Sequence, residues 1–103
     1  MKTTFEYTRA EILEAIRDIR EITISLNSIG SVAEDMPENQ WKEAVIEYLI
    51  DTKVIERLSN SRMIIESKFD DEPCDEDDKT QFERETENIE YWSFKDYKNR
   101  HGL

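Results

Sequence analysis

Apolar residues in the first third of the chain recur in steps of three and four: Ile12, Ala15, Ile19, Ile22, Leu26 and Ile29. That spacing places them on one helical stripe, which Ile16 widens. Thr8 followed three residues later by Glu11 has the spacing of a capping box, in which the hydroxyl accepts the Glu11 N–H and the carboxylate accepts the Thr8 N–H. Gly30 stands where a left-handed residue would close the helix. The pattern therefore predicts a helix over 8–29, with its last turns weakened by the β-branched run Ile22, Thr23 and Ile24.

A second periodic stretch begins near 36–38. Asp35 is the expected cap, Pro37 fits a first turn, and Glu38 suits the positive end of the helix dipole. Trp41, Ala44, Val45, Tyr48, Ile55 and Leu58 form its stripe. Asp51 falls on that stripe too, so either the helix bends there or Asp51 has a hydrogen-bond partner. Ser59, Asn60 and Ser61 read as a break. Beyond them, Met63, Ile64, Ile65 and Phe69 fit a helix continued through 55, 58, 62, 65 and 69, interrupted by Arg62, better than a short strand. Thr80 and Glu83 repeat the capping-box spacing. Phe82, Ile89 and Trp92 then lie on one face of a third helix reaching about Tyr97, and residues 98–103 read as a frayed tail.

These elements predict an all-α fold, a small three-helix bundle built on an antiparallel helical hairpin. The alternative is an α+β fold with short strands near 3–7, 62–68 and 89–94. Only two glycines and two prolines occur in 103 residues, which favours helix over a turn-rich sheet. The length suits a single domain over 1–103. Within it, residues 70–78 (DDEPCDEDD) hold seven acids and no base, which predicts a solvated acidic linker at about 70–79.

Charge narrows the function. The net charge is −11, from 14 basic and 25 acidic residues. It is unevenly spread: residues 31–51 carry −5 and residues 70–90 carry −9, whereas 52–69 and 91–103 each carry +2. Such a chain repels phosphate backbones and anionic membrane surfaces, so neither direct nucleic-acid nor membrane binding is expected. It suits a partner protein with a basic surface, as small nucleic-acid-mimicking inhibitors do. The candidate contact residues are Glu34, Asp35, Glu38, Glu43 and Glu47 in the first block. The second block supplies Asp70, Asp71, Glu72, Asp75, Glu76, Asp77, Asp78, Glu83 and Glu87. Tyr91, Trp92, Phe94 and Tyr97 follow, too close together to share one helical face. Trp92 is the expected core member, and Tyr91 and Tyr97 the outward aromatic anchors.

Catalytic chemistry finds little support. Cys74 and His101 are the only thiol and the only imidazole, one in the acidic run and one near the end of the sequence. They are too few for a zinc site, and glycines only at 30 and 102 leave no phosphate loop. Glu11, Glu14, Glu43, Glu47 and Asp51 could hold Mg²⁺ between two helices, an arrangement that resembles the all-α nucleotide pyrophosphatases. Glu47 and Asp51 are four apart where that family has three, and no Glu-Glu pair opens the first motif. The run Tyr7-Thr8-Arg9-Ala10-Glu11 resembles the first-helix start of the colicin DNase immunity proteins. That family's short helix and Tyr-Tyr-Pro segment are missing, so no residue role is carried over.

No catalytic residue, metal or cofactor is assigned. No stretch reaches the roughly 18 apolar residues of a membrane span, and the polar start and single cysteine point to a cytoplasmic protein. The expected function is stoichiometric binding of the inhibitor, immunity or anti-defence type, without enzymatic activity. A helical self-association module, dimerising through the Ile12–Ile29 stripe, is the alternative. A Mg²⁺-dependent nucleotide hydrolase is the remoter one.

Overall fold

The computed structural model describes residues 3–103; Met1 and Lys2 lie outside the described residues. The chain is all-α: among the described residues there are five α-helices and no strand, including at 3–7, 62–68 and 89–94. It forms two compact units, Thr3–Asp70 and Asp71–Leu103. The boundary falls inside the acidic run, with Asp70 in the first unit and residues 71–78 in the second.

In the first unit, α1 (Arg9–Ser31) starts at the capping box, with Glu11 N–H to Thr8 Oγ1 at 3.1 Å and Thr8 N–H to Glu11 Oε1 at 2.9 Å. The helix does not stop at Gly30. It runs on through Ser31, and Gly30 has no positive φ. A 3₁₀ turn, Ala33–Asp35, precedes α2 (Glu38–Asp51), so Asp35 is not the cap; Pro37 occupies that position without a side-chain hydrogen bond. The indole N–H of Trp41 donates to the Ile29 carbonyl at 2.8 Å. That bond occupies one of the acceptors a helix end leaves open, and it fixes the entry of α2.

The α2 helix ends at Asp51. Thr52 follows, and Lys53 adopts the left-handed conformation (φ 55°, ψ 46°) before α3 (Val54–Glu66) begins. Asp51 is exposed, so the bend, and not a buried partner, resolves its place on the stripe. The elbow also changes the phase of the pattern. The residues that α3 turns inward are Val54, Arg57, Ser61 and Ile64, each one position earlier than the expected 55, 58, 62 and 65; Phe69, in the 3₁₀ turn Ser67–Phe69 that follows, is half-buried as expected, its ring 4.4 Å from that of Phe5. Arg62 is therefore exposed and interrupts nothing, while Ile55 and Leu58 are turned out at 76% and 40% exposure.

Ser59, Asn60 and Ser61 form no break. They lie inside α3, and the buried Ser61 hydroxyl donates to the Ala15 carbonyl at 3.2 Å. Two small residues meeting there let the backbones of α1 and α3 approach closely. The pairings Tyr7–Ile65, Ala15–Ser61, Asp18–Arg57 and Ile29–Trp41 run in opposite directions along the chain, which makes α1 and the α2–α3 arm an antiparallel hairpin. The arm is somewhat longer than α1, 14 and 13 residues against 23. Its core is thin: Ala15, Ile22 and Val54 are the buried apolar residues among those described.

In the second unit, the third helix forms as two short ones, α4 (Gln81–Thr86) and α5 (Phe94–Arg100). Glu85, Glu87 and Glu90 crowd the negative end of the α4 dipole, and Ser93 takes the extended cap conformation that starts α5. The last residues are not frayed. Gly102, at φ 68°, closes α5 in a Schellman arrangement, with Leu103 N–H donating to the Lys98 carbonyl at 2.9 Å.

Two substitutions check this account by urea denaturation. Lys53→Gly relieves the left-handed backbone and is expected to stabilise the chain by up to about 1 kcal/mol. Ser61→Leu overfills the α1–α3 contact and is expected to destabilise it by about 1–3 kcal/mol.

Candidate partner-binding surface

The elbow is fixed by a polar cluster drawn from all three helices of the first unit. Arg57 donates from Nε to Asp18 Oδ1 at 2.9 Å and pairs through Nη1 with Glu21 Oε1 at 2.7 Å; Nη1 also donates to the Thr52 carbonyl at 3.3 Å. Tyr48 donates its hydroxyl to Glu21 Oε2 at 2.6 Å, and Ser25 donates to the same oxygen. The Ser25 hydroxyl, then Tyr48 and Arg57, hold the Glu21 carboxyl well below its ordinary range, at about 2. Arg57 is held still more firmly protonated by Asp18 and Glu21.

With its inward side so engaged, α2 presents a different set of residues outward. Ile46 and Ile50 lie one turn apart at 54% and 68% exposure, opposite the half-buried stripe of Trp41, Ala44, Val45 and Tyr48. Glu43 and Glu47, also one turn apart, run beside them. The exposed Ile55 joins this face because the elbow turned it out. Ile46, Leu49, Ile50, Lys53, Ile55 and Glu56 line a shallow groove of about 330 Å³. The sequence reading missed this face by placing Ile55 in the core. The signal available was the Ile46/Ile50 pair, which falls on the opposite side of α2 from its stripe.

The first acidic block is largely free. Glu38 pairs with Lys42 at 3.0 Å, whereas Glu34, Asp35, Glu43, Glu47 and Asp51 make no ion pair among the described residues. Asp70 is likewise exposed at the end of the first unit. Glu11 is engaged in its cap and lies 3.4 Å from Lys68, and Glu14 accepts from Asn60 at 3.4 Å. Among the described residues no three His, Cys, Asp or Glu side chains stand close enough to hold a metal ion.

The second block is a solvent-exposed loop held by its own internal contacts. Asp75 Oδ1 accepts the Asp77 and Lys79 N–H groups at 2.8 and 3.0 Å, while Asp78 takes a left-handed φ of 59°. Arg84 then clamps Asp75 and Asp77, both at 2.6 Å, and Lys79 pairs with Glu87 at 2.9 Å. These contacts lower the carboxyls of Asp75, to about 2 with Arg84 the leading cause, and of Glu87, through Lys79. Glu83 supplies the N–H bound by the Thr80 cap. Asp71, Glu76 and Asp78 are exposed, and Glu72 is half-buried. Glu34, Asp35, Glu38, Glu43, Glu47 and Asp70 therefore lie in the first unit and the remaining candidates in the second.

The aromatic assignments are partly reversed. Tyr91 faces out at 77% exposure, as expected, but so does Trp92 at 68%. Tyr97 is the half-buried centre of the group, its ring 6.0 Å from Trp92, 5.5 Å from Phe94 and 4.4 Å from His101. The short α5 begins only after Trp92, so Trp92 has no helical face to follow inward. Cys74 is an exposed free thiol.

Among the described residues no helix is long and apolar enough to cross a membrane. Compared with protein families, characterised proteins and solved structures, the chain matches none.

Glu21 gives a pH prediction. Its carboxyl ionises more readily folded than unfolded, so the stability it contributes is complete above its ordinary value of 4.5 and drains away as pH falls towards about 2. Since its side chain is 43% exposed, water screens part of the effect. The urea midpoint of the natural chain is expected to fall across that acid window, and that of Glu21→Gln to start lower and fall less steeply.

Proposed function

We propose that this chain is a non-enzymatic binding protein of the stoichiometric inhibitor, immunity or anti-defence type, and that it engages a basic surface of a partner protein in the cytoplasm. The observation that carries this reading is the row of Glu43 and Glu47, without ion pairs among the described residues, beside exposed Ile46 and Ile50 on one side of α2. Carboxylates without internal partners are free to form ion pairs across an interface, and isoleucines beside them supply desolvated area.

The earlier candidate set is thereby weighted towards α2. Asp75, Asp77 and Glu87 are already held by Arg84 and Lys79, so their charges answer to the loop. Glu34, Asp35, Glu43 and Glu47, with Asp70, Asp71, Glu76 and Asp78, supply the field that draws a cationic surface in. Tyr91 is an exposed anchor of the second unit. Self-association through the Ile12–Ile29 stripe is disfavoured because Ala15 and Ile22 are already buried and the Ser61 and Trp41 contacts tie that helix to its own arm.

Affinity capture with the full chain at low and high salt tests the reading. Partners with basic surfaces are expected to be retained at low salt and shed at high salt. The double variant Glu43→Lys/Glu47→Lys is expected to lose them, while Asp77→Asn keeps them. Retention unchanged by the double variant would remove α2 from the interface.

A further inference from the structure

We infer that the groove at the α2–α3 elbow receives an amphipathic helix of the partner bearing Lys and Arg beside its apolar stripe. This rests on the binding role proposed above and gives that role a place and a ligand chemistry. Two parallel rows define the site. Ile46 and Ile50 form an apolar ridge one helical turn long, and Glu43 and Glu47 form an anionic row of the same pitch offset by one residue. Across the elbow, Ile55 at 76% exposure extends the apolar floor, and Glu56 adds a carboxylate to its edge. Among the described residues, Lys53 is the only base lining the groove.

The charge pattern selects the occupant. A second copy of the chain on this face would bring two rows of unpaired glutamates together, so like charges would oppose association. Nucleic acid and anionic lipid surfaces meet the same repulsion. A helix with apolar residues at three- and four-residue steps, flanked by Lys or Arg, repeats at the pitch of both rows and complements both at once. Aliphatic side chains then enter between Ile46, Ile50 and Ile55 while the cations meet Glu43, Glu47 and Glu56.

The test uses the full chain and three labelled synthetic peptides, followed by fluorescence anisotropy. One is a helix former with Leu along one side and Lys along the other, the second is its scrambled isomer, and the third carries Glu in place of Lys. The Lys-faced peptide is expected to bind one-to-one. Its affinity is expected to fall roughly tenfold for Ile50→Asp and for Ile55→Asp, and similarly for Glu43→Lys/Glu47→Lys. All of these side chains are exposed, so circular dichroism is expected to show unchanged helix content, and Ile46→Ala serves as a milder second variant. Failure of the Lys-faced peptide to bind overturns the groove inference. Equal binding of the scrambled isomer overturns it too, yet leaves a cation-binding acidic surface standing. Equal binding of the Glu-faced peptide removes both readings. Light scattering that shows a dimer dispersed by Ile50→Asp would identify a second copy as the occupant instead.

Discussion

The first unit depends on the Arg57 guanidinium, which reaches Asp18 and Glu21 on α1 and the Thr52 carbonyl at the end of α2. Apolar burial alone is a weak constraint here, because Ala15, Ile22 and Val54 are the only buried apolar residues described. A small apolar interface permits helices to slide or rotate, whereas a planar donor with several fixed acceptors permits one arrangement. Tyr48, by donating to Glu21, ties α2 into the same cluster. The close approach of Ala15 and Ser61 sets the distance between α1 and α3, and the Arg57 cluster sets their register.

The elbow at Lys53 follows from the same constraint. An uninterrupted helix from Glu38 to Glu66 would carry Asp51 towards α1 and leave Arg57 turned off the interface. Breaking the helix and restarting it one residue out of phase exposes Asp51 and brings Val54, Arg57 and Ser61 inward together. Left-handed backbone is costly for lysine, by about 1–2 kcal/mol. The Arg57 contacts and the Ser61 hydrogen bond offset that cost. Ile55 becomes outward-facing as a result, so the groove beside Ile50 is a by-product of aligning Arg57.

What the sequence made legible was local. The capping box at Thr8, the side-chain cap at Thr80, the α1 stripe and the inward side of α2 are encoded within a few residues of where they act. The phase shift was not legible, because lysine gives no sign of left-handed backbone as glycine or asparagine would. The stripe read across 55–65 inherited that one-residue error, which explains the misplaced Ile55 and Leu58 and the puzzling Arg62. The acidic run failed differently. Composition showed seven acids, but the loop is built by one Asp75 oxygen accepting two backbone N–H groups and by an arginine nine residues away. The charge asymmetry of the chain was visible from the start; which carboxylates remain unneutralised required the coordinates.

The residues on the outer side of the elbow are separate from those that hold it together. Among the described residues, Ile46, Ile50, Ile55, Glu43 and Glu47 make none of the hydrogen bonds or ion pairs that join the three helices. Changes among them alter shape and charge at the surface while leaving the scaffold intact. The molecule thereby keeps two alphabets on one helix, one that specifies folding and one that can be rewritten without disturbing it.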